Sequence, residues 1–438
     1  MDKRFALSLL MLLAALALAP AAGAREIPGQ YIVVLDGDAD VGDVVSDHRR
    51  GGGAHVLDRY SHALRGYAAR LSGPALERVK ADPRVESVTP DREGKMTQAQ
   101  TLPAGIDRID ADLSSALAGN GSGVVDADVA VFDTGIQTNH PDLNVVGGVN
   151  CNGAITSAND GTISDQHGHG THVAGIIGAK DDLNGVVGVA PGARLWSVRM
   201  GDAAGISTES AMLCGIDWLT ANGPAKGIRV VNASVVLFGK ADDGNCGNTA
   251  NDPMHRAICA SAAAGLLWVF GAGNNTGDLA GVPGAGYDEV LAVTAMADSN
   301  GIAQPGATTT FTCKPVNAKK SETVATEDQY TTWSRYAVSA ADQAHTLAAP
   351  GKCVNSTYKG SIYGPMSGTS MASPHVAGTA ALCFASGHCT GTPAAAIQKL
   401  VGDATAYTQA NPGWGFTGDP LRPVTGRHYG YLVRPGLY

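Results

Sequence analysis

No basic run of nuclear-localisation or heparin-binding type occurs in this 438-residue chain, charged residues make up only 16% of it, and its formal net charge is −9. A surface of that sign does not draw in a phosphate backbone, which argues against nucleic acid as a partner. No period of 20–50 residues repeats, and there is no low-complexity tail, so a solenoid or a disordered interaction arm is excluded. Beyond the N-terminal region no stretch is long and apolar enough to span a bilayer. None of the eight cysteines (Cys151, Cys214, Cys246, Cys259, Cys313, Cys353, Cys383 and Cys389) stands in a Cys-x-x-Cys pair. That spacing disfavours zinc binding and redox catalysis.

What the chain does have suits an exported enzyme. At 44% hydrophobic it can bury a large core plus a smaller domain, and its 57 glycines suit many tight loops. Lys3 and Arg4 precede an apolar run from Phe5 to Ala19, then Pro20 and the small residues Ala22-Gly-Ala24. This is the layout of a secretory signal peptide over 1–24, cut after Ala24, and the run is too short for an anchor. An even number of cysteines in an exported chain points to disulfides, but eight cysteines allow 105 pairings and the connectivity stays open.

Three segments carry chemistry. Gly368-Thr-Ser-Met-Ala-Ser-Pro-His-Val-Ala-Gly378 puts Ser370 at the start of a helix-compatible run, Met371 to Phe384. Free N–H groups and the helix dipole there favour an oxyanion beside the serine. A serine hydroxyl is a poor nucleophile at neutral pH and needs a histidine oriented by a carboxylate. His167-Gly-His-Gly-Thr-His-Val-Ala-Gly175 supplies histidines at another helix mouth, and Val129-Ala-Val-Phe-Asp-Thr-Gly-Ile136 is an apolar run ending in Asp133. Taken singly, each has a duller reading. A serine at a helix start is usually a cap. An Asp-Thr-Gly is usually a turn, and a two-aspartate peptidase would need a second one, which is absent. His167, His169 and His172 could suggest metal ligands, but no partner carboxylate or thiolate stands at metal-site spacing. His172 and His375 read as core histidines and His167 as a loop residue.

Together, in the order Asp, His, Ser, these segments resemble the subtilisin-like serine proteases (subtilases), nearest to the secreted subtilisin and proteinase K types, over about three quarters of the chain. Motif by motif the resemblance implies Asp133 as the acid, His169 as the base and Ser370 as the nucleophile. It implies Asn274, in Leu266-Leu-Trp-Val-Phe-Gly-Ala-Gly-Asn-Asn275, as the side-chain oxyanion donor. A glycan on the sequon Asn274-Asn-Thr276 would block such a site. The activity implied is a secreted serine endopeptidase acting on protein or peptide substrates through an acyl-enzyme, monomeric and with no catalytic cofactor. A catalytically impaired subtilase-like binding protein is the alternative, and it would be expected to lose one of these four residues.

The implied fold is α/β and three-layered, with a mostly parallel central sheet over 97–438, preceded by a small α/β propeptide domain over 25–96. The residue pattern agrees. Gln30–Leu35, Ala63–Leu71 and Asp82–Pro90 read as strands and Gly73–Ala81 as a helix. Beyond the linker Glu93–Gln100, strands and helices alternate: a strand after Asp128, a helix from His169, strand Ala193–Arg199, helix Ser207–Asn222, strand Arg229–Val236, helix Pro253–Ala264 and strand Leu266–Phe270. In such sheets functional groups gather at strand carboxyl ends, where Asp133 and Asn274 fall. By the resemblance the propeptide chaperones folding, inhibits the site and is removed near Met96-Thr97, with Met96 entering the primary pocket.

Two stretches depart from the family pattern. Subtilases commonly carry Ser-Leu-Gly-Gly along the substrate strand, whereas this chain has Ser234-Val-Val-Leu237. Val236 and Leu237 fall at the glycine places and should narrow or reshape a pocket formed with Gly273. The segment Ala303–His345 is longer and more polar than usual and holds Cys313, suggesting a surface loop stapled by a disulfide. A structural calcium site is also implied by Ala179–Pro191, which aligns without gaps to the family's calcium loop. Asp182 would offer its side chain, Lys180, Asn184 and Val186 their carbonyls, and Asp142 a carboxylate. The plain rival is an Asp-rich solvated turn.

Overall fold

A computed structural model describes residues 25–93, 99–152, 162–316, 318 and 324–438. The chain divides into two compact units, 1–96 and 97–438. The expected signal peptide, 1–24, and the expected Met96-Thr97 bond lie outside the described residues.

The first unit has strands β1 (Arg25–Leu35), β2 (Ala54–Tyr60), β3 (Gly66–Leu71) and β4 (Val85–Glu93), with helices α1 (Val41–Arg50) and α2 (Gly73–Lys80). The sheet runs β2-β3-β1-β4 and is antiparallel throughout. The Asp40 side chain caps α1 by accepting from Asp43 N, and Pro74 starts α2 with its fixed φ. Val44 and Val45 of α1 and Ala75 and Val79 of α2 then meet Val33, Leu35 and Tyr67 of the sheet in one buried cluster. The sequence reading passes over α1 and β2. In α1 Val41, Val44 and Val45 stand at helical spacing but are the helix's only large apolar residues, and β2 buries only Val56, next to a bulge, so it shows no alternation.

The second unit opens with α3 (Ala104–Arg108), then β5 (Asp128–Asp133), β6 (Val145–Asn150), α4 (His169–Gly178), β7 (Arg194–Arg199), α5 (Glu209–Asn222), β8 (Ile228–Ala233), α6 (Pro253–Ala263), β9 (Leu267–Gly271) and β10 (Leu291–Ala297). It continues with β11 (Thr310–Phe311), β12 (Ala325–Thr326), β13 (Gln329–Tyr330), α7 (Ala340–Ala344), β14 (Thr346–Lys352), β15 (Val354–Tyr358), β16 (Ile362–Met366), α8 (Thr369–Ala385), α9 (Pro393–Ala410) and β17 (Tyr431–Leu432). The central sheet runs β17-β14-β10-β9-β8-β5-β7-β6 with parallel pairing, and β13 adds to β10 antiparallel. Its faces are buried in two clusters. One packs β5, β9 and β10 against α4 and α8, and the other packs Phe132, Trp268 and Phe270 against α5 and α6. Each large side chain buried there contributes about 1.5–3 kcal/mol of transfer free energy. That rigidity is what positions the strand ends.

Two local expectations change. β8 stops at Ala233, before the expected Val236, and the next carbonyl, Ser234 O, accepts from Ser370 Oγ rather than from a neighbouring strand. The segment 303–345 is not simply a surface loop. It pairs β11 with β12, adds β13 to the central sheet and buries Glu327 and Asp328. Cys313 does form a disulfide, with Cys353, alongside Cys151–Cys214, Cys246–Cys259 and Cys383–Cys389. A cross-link of this kind typically stabilises by about 2–4 kcal/mol. Among the described residues no helix is long and apolar enough to cross a membrane.

Candidate active site

Asp133 is the last residue of β5, a strand buried along its whole length, and is itself fully buried. His169 is the first residue of α4. The helix can begin there because Gly168 takes φ 113°, and a β-carbon at Gly168 would lie 2.4 Å from the Tyr358 ring. The two side chains meet: His169 Nδ1 is 2.8 Å from Asp133 Oδ1 and 2.9 Å from Oδ2. Burial alone would lower the His169 pKa. The charge of Asp133 and its hydrogen bond outweigh that, with a smaller contribution from Asp165, and hold it above the ordinary histidine value.

Asp165 is a residue the sequence reading passes over. It is buried, accepts from Thr134 Oγ1, His167 N and Gly168 N on one oxygen, and accepts from Thr171 N and Oγ1 on the other. Thr134 Oγ1 in turn accepts from Gly170 N. One carboxylate therefore caps α4 and ties it to the end of β5. The signal available was an Asp four residues before His169, which by itself reads only as a turn.

Ser370 is the second residue of α8, behind Gly368, whose φ of 155° and ψ of 162° are open only to glycine. Its Oγ donates to Ser234 O at 3.2 Å, and Ser234 Oγ donates to Ser370 O at 2.8 Å. Ser234 also lines, with Asp133 and His169, a cleft of about 380 Å³. The serine is thus joined to the wall of that cleft, while its hydroxyl is engaged with Ser234 rather than with the imidazole. Asn274 lies beside it. Asn274 Oδ1 accepts from Thr369 N at 2.9 Å and Thr369 Oγ1 at 3.1 Å, which leaves the amide N–H groups facing the other way. Gly273 N donates to Thr369 Oγ1, and Gly273 O accepts from Arg335 N.

The cleft's apolar side chains are Met200, Met212, Val235, Val236 and Phe238, and Thr134, His167 and Ser207 line it as well. The two side chains expected to reshape the pocket separate. Val236 is 57% exposed on the cleft, whereas Leu237 is 4% exposed and packs in the core with Phe270. His172 is fully buried with Nε2 3.0 Å from Gly364 O, and His375 is fully buried with Nδ1 2.8 Å from Met371 O, so both are core residues as read.

The calcium candidates fall in a separate place. Asp142 is buried. Its Oδ2 accepts from Val186 N, its Oδ1 has no partner, and burial pushes its carboxyl up to about 7. The carbonyls of Lys180, Asn184 and Val186 all turn toward one point, the Gln100 side-chain amide, at 2.9, 3.4 and 3.4 Å. Gln100 is a further oxygen-bearing residue that the sequence reading omits, and its Oε1 is buried without a partner. Asp182 sits on the exposed turn, its Oδ1 taken up by Asn184. Converging carbonyls beside an unpaired buried carboxylate oxygen fit a hard cation.

Comparison with known proteins agrees with this geometry. The subtilase family (Peptidase S8) matches residues 121–416, more than half of the chain, and the peptidase inhibitor I9 family matches 30–97. Subtilisin E of Bacillus subtilis (strain 168) is 32% identical over 397 residues, 88% of each chain. Subtilisin DY of Bacillus licheniformis is 36% identical over 288 residues, 65% of this chain and 85% of its own. M-protease of Shouchella clausii (strain KSM-K16) is 34% identical over 315 residues, 72% and 68% respectively. An α/β unit with a parallel sheet, behind an I9-type propeptide, and relatives of this kind establish that the chain belongs to the subtilase family and is a serine endopeptidase.

Proposed function

We propose that the chain is made as a secreted zymogen and that its mature part, from near Thr97, cleaves peptide bonds with Asp133, His169 and Ser370. His169 Nε2 takes the proton as Ser370 Oγ bonds to the substrate carbonyl carbon. The C–N bond then breaks as His169 returns the proton to the leaving amine, and a water releases the acyl group from Ser370 by the same route. Asp133 holds Nδ1 protonated and steadies the imidazolium. The Asn274 amide and the Ser370 N–H, at the positive end of α8, receive the oxyanion. The observation that carries this reading is the Asp133–His169 contact on a cleft whose wall, Ser234, is bonded to Ser370. The hydroxyl bonded to Ser234 needs only to rotate toward the imidazole once substrate is bound, since such contacts often tighten only in the complex.

Substrates are protein or peptide chains laid along Ser234, Val235 and Val236, with Gly273 opposite. The exposed Val236 side chain and its apolar neighbours favour medium-sized apolar groups, Met96 of the chain itself among them. Leu237 acts from beneath by packing. The propeptide is the intramolecular inhibitor, and the mature enzyme works as a monomer without nucleic acid or a membrane span. No feature favours the impaired binding protein. The direct test is labelling: a fluorophosphonate should modify the active enzyme on Ser370 alone, located by peptide mapping, and His169→Ala should prevent it. Labelling elsewhere, or undiminished labelling of His169→Ala, contradicts the assignment.

Structural calcium fits Asp142, Gln100 and the carbonyls of Lys180, Asn184 and Val186, with Asp182 at the rim. Bound there, the ion would neutralise the buried Asp142 carboxylate and fasten the segment after the linker to the 180–186 loop. A ligand held at 100 times its dissociation constant stabilises by about 2.7 kcal/mol. Chelator should therefore lower the Tm of the mature enzyme, and added calcium should restore it. An unchanged Tm removes the site.

A further inference from the structure

On the α6 side of the central sheet, away from the cleft, a second cluster is built from three separated segments. Asp242 comes from the loop after β8, His255 from the first turn of α6, and Glu289 from the loop before β10. One ligand atom from each lies within 4.8 Å of the others. His255 is fully buried and its ring stacks on Tyr287 with centroids 3.9 Å apart, so its direction is set by the core. Its Nε2 is 3.1 Å from Glu289 Oε2, while Nδ1 is buried without a hydrogen-bond partner and has Asp243 Oδ1 3.8 Å away. Glu289 Oε1 faces Cys246 Sγ at 3.4 Å, a disulfide sulfur with no proton to donate.

Four acidic side chains, Asp242, Asp243, Asp288 and Glu289, gather around this histidine. Backbone N–H groups meet two of them, Gly244 N and Asp288 N donating to Asp242 and Asn245 N, Gly247 N and Ala250 N to Asp243. Among the described residues no lysine or arginine forms an ion pair with any of the four. A divalent cation would offset two negative charges and take an imidazole nitrogen as one ligand.

We propose that Asp242, His255 and Glu289 form a site for a borderline divalent ion of the zinc type. One imidazole and two carboxylates suit zinc and its neighbours, whereas calcium takes oxygen ligands only. Asp243, facing the other ring nitrogen, supplies the carboxylate that usually stands behind a metal-bound histidine. Occupancy would tie the loop that follows the cleft-wall residues Val236 and Phe238 to α6 and to the entry of β10, beside the Cys246–Cys259 disulfide that already fastens that loop. Cysteine spacing argues against zinc in the sequence, and this cluster escapes that argument because it uses no cysteine.

The test uses the full chain carrying Ser370→Ala, which does not digest itself, stripped with chelator and returned to calcium-saturated buffer. Zinc chloride is then titrated by calorimetry, with Tm followed in parallel. One zinc per chain is expected, with a rise in Tm. Losing even an outer partner of a metal site costs about 10–100-fold in affinity, so Glu289→Gln and Asp242→Asn should each weaken zinc at least that much and abolish the Tm rise. Both residues are partly exposed, so both variants should keep the zinc-free Tm of the parent, whereas replacing the buried His255 would confound folding with binding. Absence of zinc binding overturns the proposal. So does binding of equal strength in both variants, which would place the ion on other histidines such as His167 and His169.

Discussion

Replacing Ser370 with alanine should reduce peptide hydrolysis by about 10⁶-fold, the scale known for loss of the nucleophile in subtilisin. At 1.36 kcal/mol per decade this is about 8 kcal/mol of transition-state stabilisation. The residue touches little else: its Oγ makes one hydrogen bond, to Ser234 O, and alanine is a good helix former at the start of α8. The fold should therefore survive, and the loss should appear in kcat rather than in KM or Tm. The same variant should leave the I9 domain attached. The secreted parent should begin near Thr97 by N-terminal sequencing, while Ser370→Ala, produced without other proteases, should begin near Arg25. Near-normal hydrolysis by the variant, or its normal processing, would remove Ser370 from the mechanism. A mature start well outside 94–101 would leave the mechanism standing and move only the cleavage bond.

The second large effect belongs to Asp133. An asparagine there keeps the shape of the side chain but presents a neutral amide to His169 Nδ1 and favours the wrong imidazole tautomer. Catalysis should fall by about 10⁴-fold. A pH profile separates this from simple damage. The His169 pKa is raised in the parent because the charge and hydrogen bond of Asp133 outweigh burial. Only the neutral imidazole can accept the serine proton, so kcat/KM of the parent should fall as pH drops through a value above the ordinary 6.5. In Asp133→Asn the stabilising charge is gone and burial remains, so the acidic limb of the residual activity should move to lower pH. An unshifted limb in the variant would show that Asp133 does not act on His169.

The sequence by itself determined which local pieces this protein would be made of. The fully apolar run ending in Asp133, the glycines before His169 and Ser370, and the alternation of short apolar strands with helices each need only neighbours in the chain to take their shape. β5, α4, α5, α6 and β9 accordingly lie within a few residues of where their pattern puts them. Short patterns hid the rest of the propeptide fold, since α1 carries only three valines at helical spacing and β2 buries too little to alternate.

Tertiary structure alone decided what depends on side chains meeting across long separations. The pairing of the cysteines is one case, because Cys151–Cys214 and Cys313–Cys353 join residues 63 and 40 positions apart that meet only when the elements pack. The roles of Asp165 and Gln100 are another, because a carboxylate that caps a helix and an amide that gathers carbonyls look like ordinary polar residues in the chain. Val236 and Leu237 stand side by side in sequence, yet one is exposed on the cleft and the other is buried with Phe270 in the core, a difference set by how the loop after β8 packs. Asp242, His255 and Glu289 carry no signature spacing at all. They come together only because the fold brings the loop after β8, the first turn of α6 and the loop before β10 to one place, and it is packing, being non-local, that a linear pattern cannot display.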